Sequence, residues 1–246
     1  MISGLLSPAL NAQMIVGADV AAEATEYGEY DFAPASDPLE GLNRRVFWFN
    51  DRVFTYVLKP VSTVYVKVVP KPARTGLVNF YDNVRYPVRL VGSLLQGRIK
   101  RAGAETARFG VNTVAGLGGF LKISDSIPEL AAVPNEDIGQ AFGSWGIPHG
   151  PYVVIPLFGG SSLRDLLGRA GDTVVAPTGW DMINLGNRSW IEALDWQWET
   201  AITVTDNLSG LPEGIARYDE LKASALDPYI AIRDGMRSYR EREQAR

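Results

Sequence analysis

Nucleophiles, bases and metal ligands are scarce in this sequence, and that scarcity limits the chemistry available to it. There is no cysteine and a single histidine, His149. Thiolate nucleophiles, zinc fingers and histidine-based metal centres are therefore excluded. A serine hydrolase elbow reads G-x-S-x-G, and neither Phe142-Gly143-Ser144-Trp145-Gly146 nor Gly159-Gly160-Ser161-Ser162 keeps that spacing. His149, between Pro148 and Gly150, would be the sole base, with no partner for the remaining catalytic roles. Nothing among the 28 acids singles out a working carboxylate pair. A phosphate loop needs glycines between a strand and a helix. Ala115-Gly116-Leu117-Gly118-Gly119-Phe120 has the first two, but Leu121 stands where the third belongs and a helical pattern precedes it. The sequence thus predicts no catalytic site, no cofactor and no metal, and the glycine cluster is expected to end a helix.

The elements that carry these residues are mostly helical by pattern. Asp37-Pro38-Leu39-Glu40 has a cap, a proline at the first helical position and an acid three residues on, as in a capping box. Leu39, Leu42, Val46, Phe49, Val53, Tyr56 and Val57 follow at helical spacing, and Phe47, Trp48, Phe54 and Leu58 add a second apolar face. A helix apolar on two faces is buried in protein or set in lipid. Pro60 is expected to end it. Val61–Val69 is β-branched, but its helical neighbours favour a helix there too. Further helices are expected over Pro72–Asp82, Pro87–Gln96, Arg98 to Val114, Asn135–Phe142, Ser161 (as cap) to Gly171, two pieces between Trp180 and Leu208, and from Asp227-Pro228 to the end. Period-two alternation is scarce and no long repeat is visible, so the fold class is mainly α, a single compact unit.

The 246 residues carry 46% hydrophobic and 21% charged side chains, the balance of a folded chain. Charge is segregated. Residues 1–43 hold seven acids and no base, 44–122 fourteen bases and three acids, and 123–246 ten bases and eighteen acids. The overall acidity speaks against nucleic acid as a partner, and the aromatics of the basic segment sit at helical spacing rather than as a stacking platform. A basic half beside an acidic half suggests a molecule that turns one side to anionic headgroups. Residues 1–18 are uncharged and resemble a secretory signal without its basic start, with small-residue sites at Val16-x-Ala18 and Leu10-x-Ala12. Residues 19–36 read as an acidic linker, and the domain is expected over 37–246. No window supplies the ~20 continuous apolar residues of a spanning helix. Ile138–Leu163 lacks charge but holds six glycines and three prolines. Such backbone is tolerated at membrane depth only within protein or along a cavity.

Several blocks, in order along the chain, together resemble the MlaA/VacJ family of outer-membrane phospholipid-transport lipoproteins. They are Asp37-Pro38-Leu39-Glu40-Gly41-Leu42-Asn43-Arg44 with Phe49-Asn50; Pro70-x-Pro72-Ala73-Arg74-x-Gly76-Leu77-x-Asn79-Phe80; and Arg108-Phe109-x-x-Asn112-Thr113 with Gly116-x-Gly118-Gly119-Phe120. Phe142-Gly143, Gly150-Pro151-Tyr152-Val153-x-x-Pro156, Leu163-Arg164-Asp165 and Asp227-Pro228-Tyr229-Ile230 with Arg233 complete the set. The resemblance implies an all-helical, ring-like body embedded in the inner leaflet of the outer membrane, on its periplasmic side, in a Gram-negative bacterium. A polar channel would pass phospholipid that has strayed into the outer leaflet to a periplasmic carrier protein. Family members sit beside a trimeric porin and are lipidated on a cysteine after their signal. With no cysteine present, the resemblance implies either sequence upstream of Met1 or an anchor through apolar helix faces.

Arginine outnumbers lysine eighteen to six, and its planar fork suits phosphate. Arg44, Arg45, Arg85 and Arg89 are the headgroup candidates, with snorkelling or pairing to acids as the alternative role. Asn50 is the candidate to face the channel, and Gly116, Gly118 and Gly119 are the candidates for a gating hinge. The tryptophans, Trp145 among them, fit a membrane interface or an ordinary core. A peripheral membrane scaffold or lipid-binding module without channel activity is the alternative function, and a lipid-degrading enzyme is disfavoured by the missing serine motif.

Overall fold

The structure, a computed structural model, describes residues 37–131, 136–176, 205 and 207–245. Among these residues the chain forms ten α-helices and one two-stranded hairpin, so the fold is mainly α as expected. The signal-like segment 1–18, the linker 19–36 and most of the expected Trp180–Leu208 helices lie outside the described residues.

Helix α1 (Glu40–Val53) passes through a π-helical turn at Phe54–Leu58 straight into α2 (Lys59–Val68). The expected stop at Pro60 does not occur, and the π turn is the reason. Proline within a regular helix lacks its N–H and collides with the carbonyl one turn back. Here the Lys59 N–H reaches back five residues to the Phe54 carbonyl, widening the helix just before Pro60. Two turns of β-branched residues then stay helical because their neighbours fix the direction. The expected capping box also gives way. Asp37 makes no cap bond to α1; its carboxylate accepts from Asn43 Nδ2 at 2.7 Å and from the Tyr229 hydroxyl. Glu40 pairs with Arg44 at 2.7 Å instead.

α3 (Lys71–Val84) and α4 (Tyr86–Leu95) each carry proline in their opening turn, as the sequence requires. α5 (Ile99–Val114) ends at the glycine cluster. After α6 (Pro128–Ala131), α7 (Ile138–Ser144) opens on Asp137, whose carboxylate accepts from the Gln140 N–H at 2.7 Å. α8 (Leu163–Val175) is capped by Ser162 rather than Ser161, its hydroxyl accepting from the Asp165 N–H at 3.1 Å. The two helices cross so closely that a Cβ on Gly168 would fall 2.3 Å from Gly139 backbone. α9 (Leu211–Ser224) and α10 (Pro228–Ala245) complete the described chain. Asp227 holds the start of α10 as expected, accepting from the Tyr229 N–H at 3.0 Å.

The hairpin corrects the all-helical expectation. Antiparallel strands β1 (Tyr152–Ile155) and β2 (Gly159–Ser162) pair Tyr152 with Ser162 and Ile155 with Gly159. Four-residue strands, one of them Gly-Gly-Ser-Ser, are too short to show alternation. An isolated hairpin is marginal in water, and α1 supplies the missing support. Asn43 and Asn50, two turns apart on one helix face, grip the hairpin backbone like a third strand. Asn43 donates to Tyr152 O at 3.0 Å and accepts from Val154 N at 2.9 Å. Asn50 donates to Ile155 O at 3.0 Å and accepts from Leu157 N at 2.8 Å, holding Leu157 at φ 67° in the turn.

Among the described residues, apolar packing gathers in small clusters. Phe54 meets Leu211 and Ile215 of α9, and Val46 and Phe47 meet Tyr152, Val154 and Tyr229.

Candidate functional site

Many large apolar side chains stand exposed on the surface of the described residues. Along the α1–α2 rod, Leu42, Trp48, Phe49, Tyr56, Val57 and Val64 are exposed, Trp48 to 59%. A second exposed set surrounds the glycine turn: Val114, Leu117, Phe120 and Leu121. Patches of this extent mark surfaces built to meet lipid or protein. Cations lie among them. The Arg52 guanidinium sits 4.9 Å from the Trp48 ring centre and 5.8 Å from that of Tyr56, and donates to the Tyr56 hydroxyl at 3.2 Å. Aromatic rings under arginine are at home where hydrocarbon meets headgroup. Among the described residues, no helix is long and apolar enough to cross a membrane.

The interior is correspondingly polar. Between α4 and α5, Glu105 is fully buried and accepts from Arg89 Nε at 2.7 Å. Arg89 also donates to the Asp82 carbonyl at 2.8 Å and carboxylate at 3.1 Å, and Lys122 reaches Asp82 at 2.8 Å. Burial alone would raise the Asp82 carboxyl; Arg89 and Lys122 outweigh it and hold it below the ordinary carboxylate range. Glu136, also buried, takes Arg98 at 2.7 Å, Arg101, and Gln96 at 2.6 Å. Arg108 reaches the Leu130 carbonyl and Asp125, and Asn112 accepts from the Ser124 N–H at 2.9 Å. A third cluster joins α7, α8 and α10. Asp172 accepts from Ile138 N at 3.0 Å, while burial and the neighbouring Asp137 push its carboxyl up to about 7. Arg240 spans Asp137 and Asp165.

The residues singled out by sequence divide into two groups on different elements. Arg44, Arg45 and Asn50 share α1; Arg89 lies on α4 and Arg85 just before it. Arg44 is bound to Glu40 and to Asp227 at 2.8 Å, with its guanidinium over the Tyr229 ring. Both ends of the Asn50 amide are taken by the hairpin. Arg89 is buried in its carboxylate pairs, the pairing role that sequence held as the alternative. Arg45 is exposed, and no hydrogen bond or ion pair to a described residue holds it. Arg85 is half-buried beside Asp82.

The glycines form one tight turn. Gly118 N bonds Thr113 O at 2.9 Å and Leu121 N bonds Gly116 O at 2.9 Å. Gly118 and Gly119 have φ of 76° and 102°, and Leu117 φ 55°. A Cβ on Gly119 would sit 2.6 Å from the Asn83 side chain. The turn is seated on α3, where Phe120 stacks on Phe80 at 5.1 Å and Asn79 donates to the Phe120 carbonyl at 3.1 Å. Sequence reasoning assigned no role to Asn43, Glu105 or Glu136. Only Asn43 left a signal, its seven-residue spacing from Asn50; a buried acid far from its arginines in sequence leaves none.

A profile of the MlaA lipoprotein family matches residues 35–243. The intermembrane phospholipid transport system lipoprotein MlaA of Shigella flexneri is 33% identical over 202 residues, covering 81% of this chain and 74% of that protein. Its counterpart in Escherichia coli (strain K12) matches to the same extent, and that of Haemophilus influenzae is 31% identical over 206 residues. A solved structure described as the structural basis for maintenance of bacterial outer membrane lipid asymmetry superposes with a TM-score of 0.66 at 30% identity. It covers 85% of this chain and 98% of its own.

Proposed function

This chain belongs to the MlaA lipoprotein family, and we propose that it is the outer-membrane component of an intermembrane phospholipid transport system that maintains outer-membrane lipid asymmetry. It takes phospholipid from the outer leaflet, lets it cross the polar interior and releases it on the periplasmic side to a carrier protein. The lipid leaves unchanged, so the chain works as a conduit and not as a hydrolase. The observation that supports this best is the inversion of polarity, with exposed Trp48, Phe49 and Tyr56 outside and charged Arg89, Glu105 and Glu136 within. A water-soluble scaffold gains nothing from that arrangement, because exposed apolar surface forgoes about 25 cal/mol per Å² and buried ions must be desolvated.

The protein rests in the bilayer on its apolar faces, beside a trimeric porin that covers part of them. Arg45, exposed on α1, and Arg85 meet headgroup phosphate, while Arg44, Arg89 and Asn50 keep α1, α4 and the hairpin in register around the path. The turn at Gly116, Gly118 and Gly119 is the gating element. It moves by lifting Phe120 from Phe80, since that stack and the Asn79 bond are what seat it. The test is transfer of fluorescent phospholipid from vesicles holding the full chain to acceptor vesicles through a purified periplasmic carrier. Transfer well above protein-free vesicles is expected. Membrane binding with transfer at the protein-free rate would favour the scaffold reading instead.

A further inference from the structure

A polar cleft lies where the hairpin, the first turn of α8 and one face of α10 meet. His149, Tyr152, Ser161 and Asp165 line it on one side, and Arg233, Arg237 and Arg240 on the other, spaced along a single face of α10. The Ser161 side chain is 1% exposed, and its hydroxyl has no hydrogen-bond partner. The His149 imidazole and Tyr152 hydroxyl make no hydrogen bond among the described residues. An unmatched buried hydroxyl carries an uncompensated desolvation cost, so a ligand that bonds it would gain what folding left unmade.

The charges indicate what that ligand is. Asp165 is committed to Arg164 at 3.2 Å and lies 3.6 Å from Arg240. Arg233 bonds Asp234 through Nε at 2.8 Å and Nη2 at 3.2 Å, and its Nη1 is ion-paired with Asp37 at 3.7 Å, a separation that leaves its hydrogens without a hydrogen bond; Arg237 pairs with Glu241 at 2.8 Å. The end of α8 offers nothing further, because the N–H groups of Leu163, Arg164 and Asp165 go to Pro151 O, His149 O and Ser162 Oγ. Side chains would therefore hold the ligand. The Arg233 guanidinium, with one Nη1 that makes no hydrogen bond, and the unpartnered Ser161 hydroxyl line the same small cleft, a donor set that matches a tetrahedral oxyanion better than an acyl chain. Burial, with Arg164 next, lowers the His149 pKa below its ordinary value, so the imidazole arrives as a neutral partner for a phosphate proton or oxygen.

We infer that this cleft is a phosphate-binding site in which Ser161, His149 and Arg233 contact a single phosphate group. Its source is either a phospholipid headgroup or free phosphate; only the headgroup source rests on the transport reading above.

Because His149 is the only histidine, its imidazole ¹H–¹⁵N resonances report on the cleft directly. The experiment titrates the full chain in phosphate-free maltoside micelles, with inorganic phosphate in one arm and soluble dihexanoyl-phosphatidylethanolamine in the other. A saturable shift of the His149 signal is expected in at least one arm, and the arm that saturates identifies the source. Ser161→Ala should weaken that binding by about tenfold, the loss of one good hydrogen bond. It should not lower the melting temperature, since the hydroxyl bonds nothing in the protein. His149→Gln, followed by calorimetry, should weaken binding as well. No saturable binding in either arm, or affinity unchanged by Ser161→Ala, overturns the inference. No lipid is moved here, so a chain that binds phosphate yet fails the transfer assay loses the transport reading alone.

Discussion

Asn43 shows how much one buried amide can organise. It bonds Asp37, Tyr152 and Val154 at once, tying the chain before α1, the hairpin and, through Asp37, the Tyr229 hydroxyl of α10. Asn43→Leu keeps the volume and strands those partners, so a loss of about 2–4 kcal/mol is expected in chemical denaturation. Asp172 bears on pH. Its carboxyl stands near 7 in the fold, through burial and then Asp137, with Arg240 and Arg169 opposing, and near ~4 when unfolded. As pH rises from about 4 to about 7 the unfolded chain releases this proton first, so Asp172 subtracts stability across that window and by a constant amount above it. Asp172→Asn, still able to accept from Ile138 N, should melt higher than the parent above pH 7. The two melting curves should converge near pH 4, and a difference independent of pH would contradict this assignment. None of this was legible in the sequence, where Asp172 is one of 28 acids; its raised pKa comes first from burial and then from Asp137, 35 positions away, both produced by the α7–α8 crossing.

At the scale of elements, local signals placed what local physics controls. The prolines opening α3 and α4, Asp227 before α10 and the glycine stop after α5 were all readable. Pro60 does not end the helix because the relief comes from a π turn at Phe54–Leu58, and that turn, whose Phe54 and Leu58 pack against α9, leaves no local signal. The hairpin was unreadable because its support, Asn43 and Asn50, lies about a hundred residues earlier. The glycine turn gives an internal comparison. Gly110 within α5 has nothing within 4 Å of an added Cβ, whereas Gly116 would meet the Leu121 carbonyl at 2.1 Å. Gly110→Ala should therefore stabilise by about 0.5–1 kcal/mol. Gly116→Ala should destabilise by more than that, because backbone must shift; paired thermal melts check both. If Gly116→Ala melts with the parent, the turn is looser than its contacts imply.

At the scale of the whole molecule, the described residues set large apolar side chains outside and charged ones within. The charges and apolar faces in the sequence indicate a membrane-associated helical body, yet not which apolar residues face outward. Along α1 and the π turn the inward side proves to be Asn43 and Phe54, both buried, with Phe47 and Asn50 half-buried, and Leu42, Trp48 and Phe49 are left exposed. Trp48→Ala should leave stability within about 0.5 kcal/mol, as for exposed sites generally, and weaken partitioning into vesicles by about tenfold for the apolar area lost, as read by flotation. The most direct test of the inverted arrangement uses a sequence without cysteine. Single cysteines replacing Val57, Val64 and Lys222 would carry a bimane label, with the protein reconstituted in vesicles containing lipids brominated along their acyl chains. Labels at 57 and 64 should be strongly quenched by the brominated lipids, and the label at 222 by aqueous iodide. Iodide quenching at all three positions, with none from the brominated lipids, would place the apolar face in water and contradict the account.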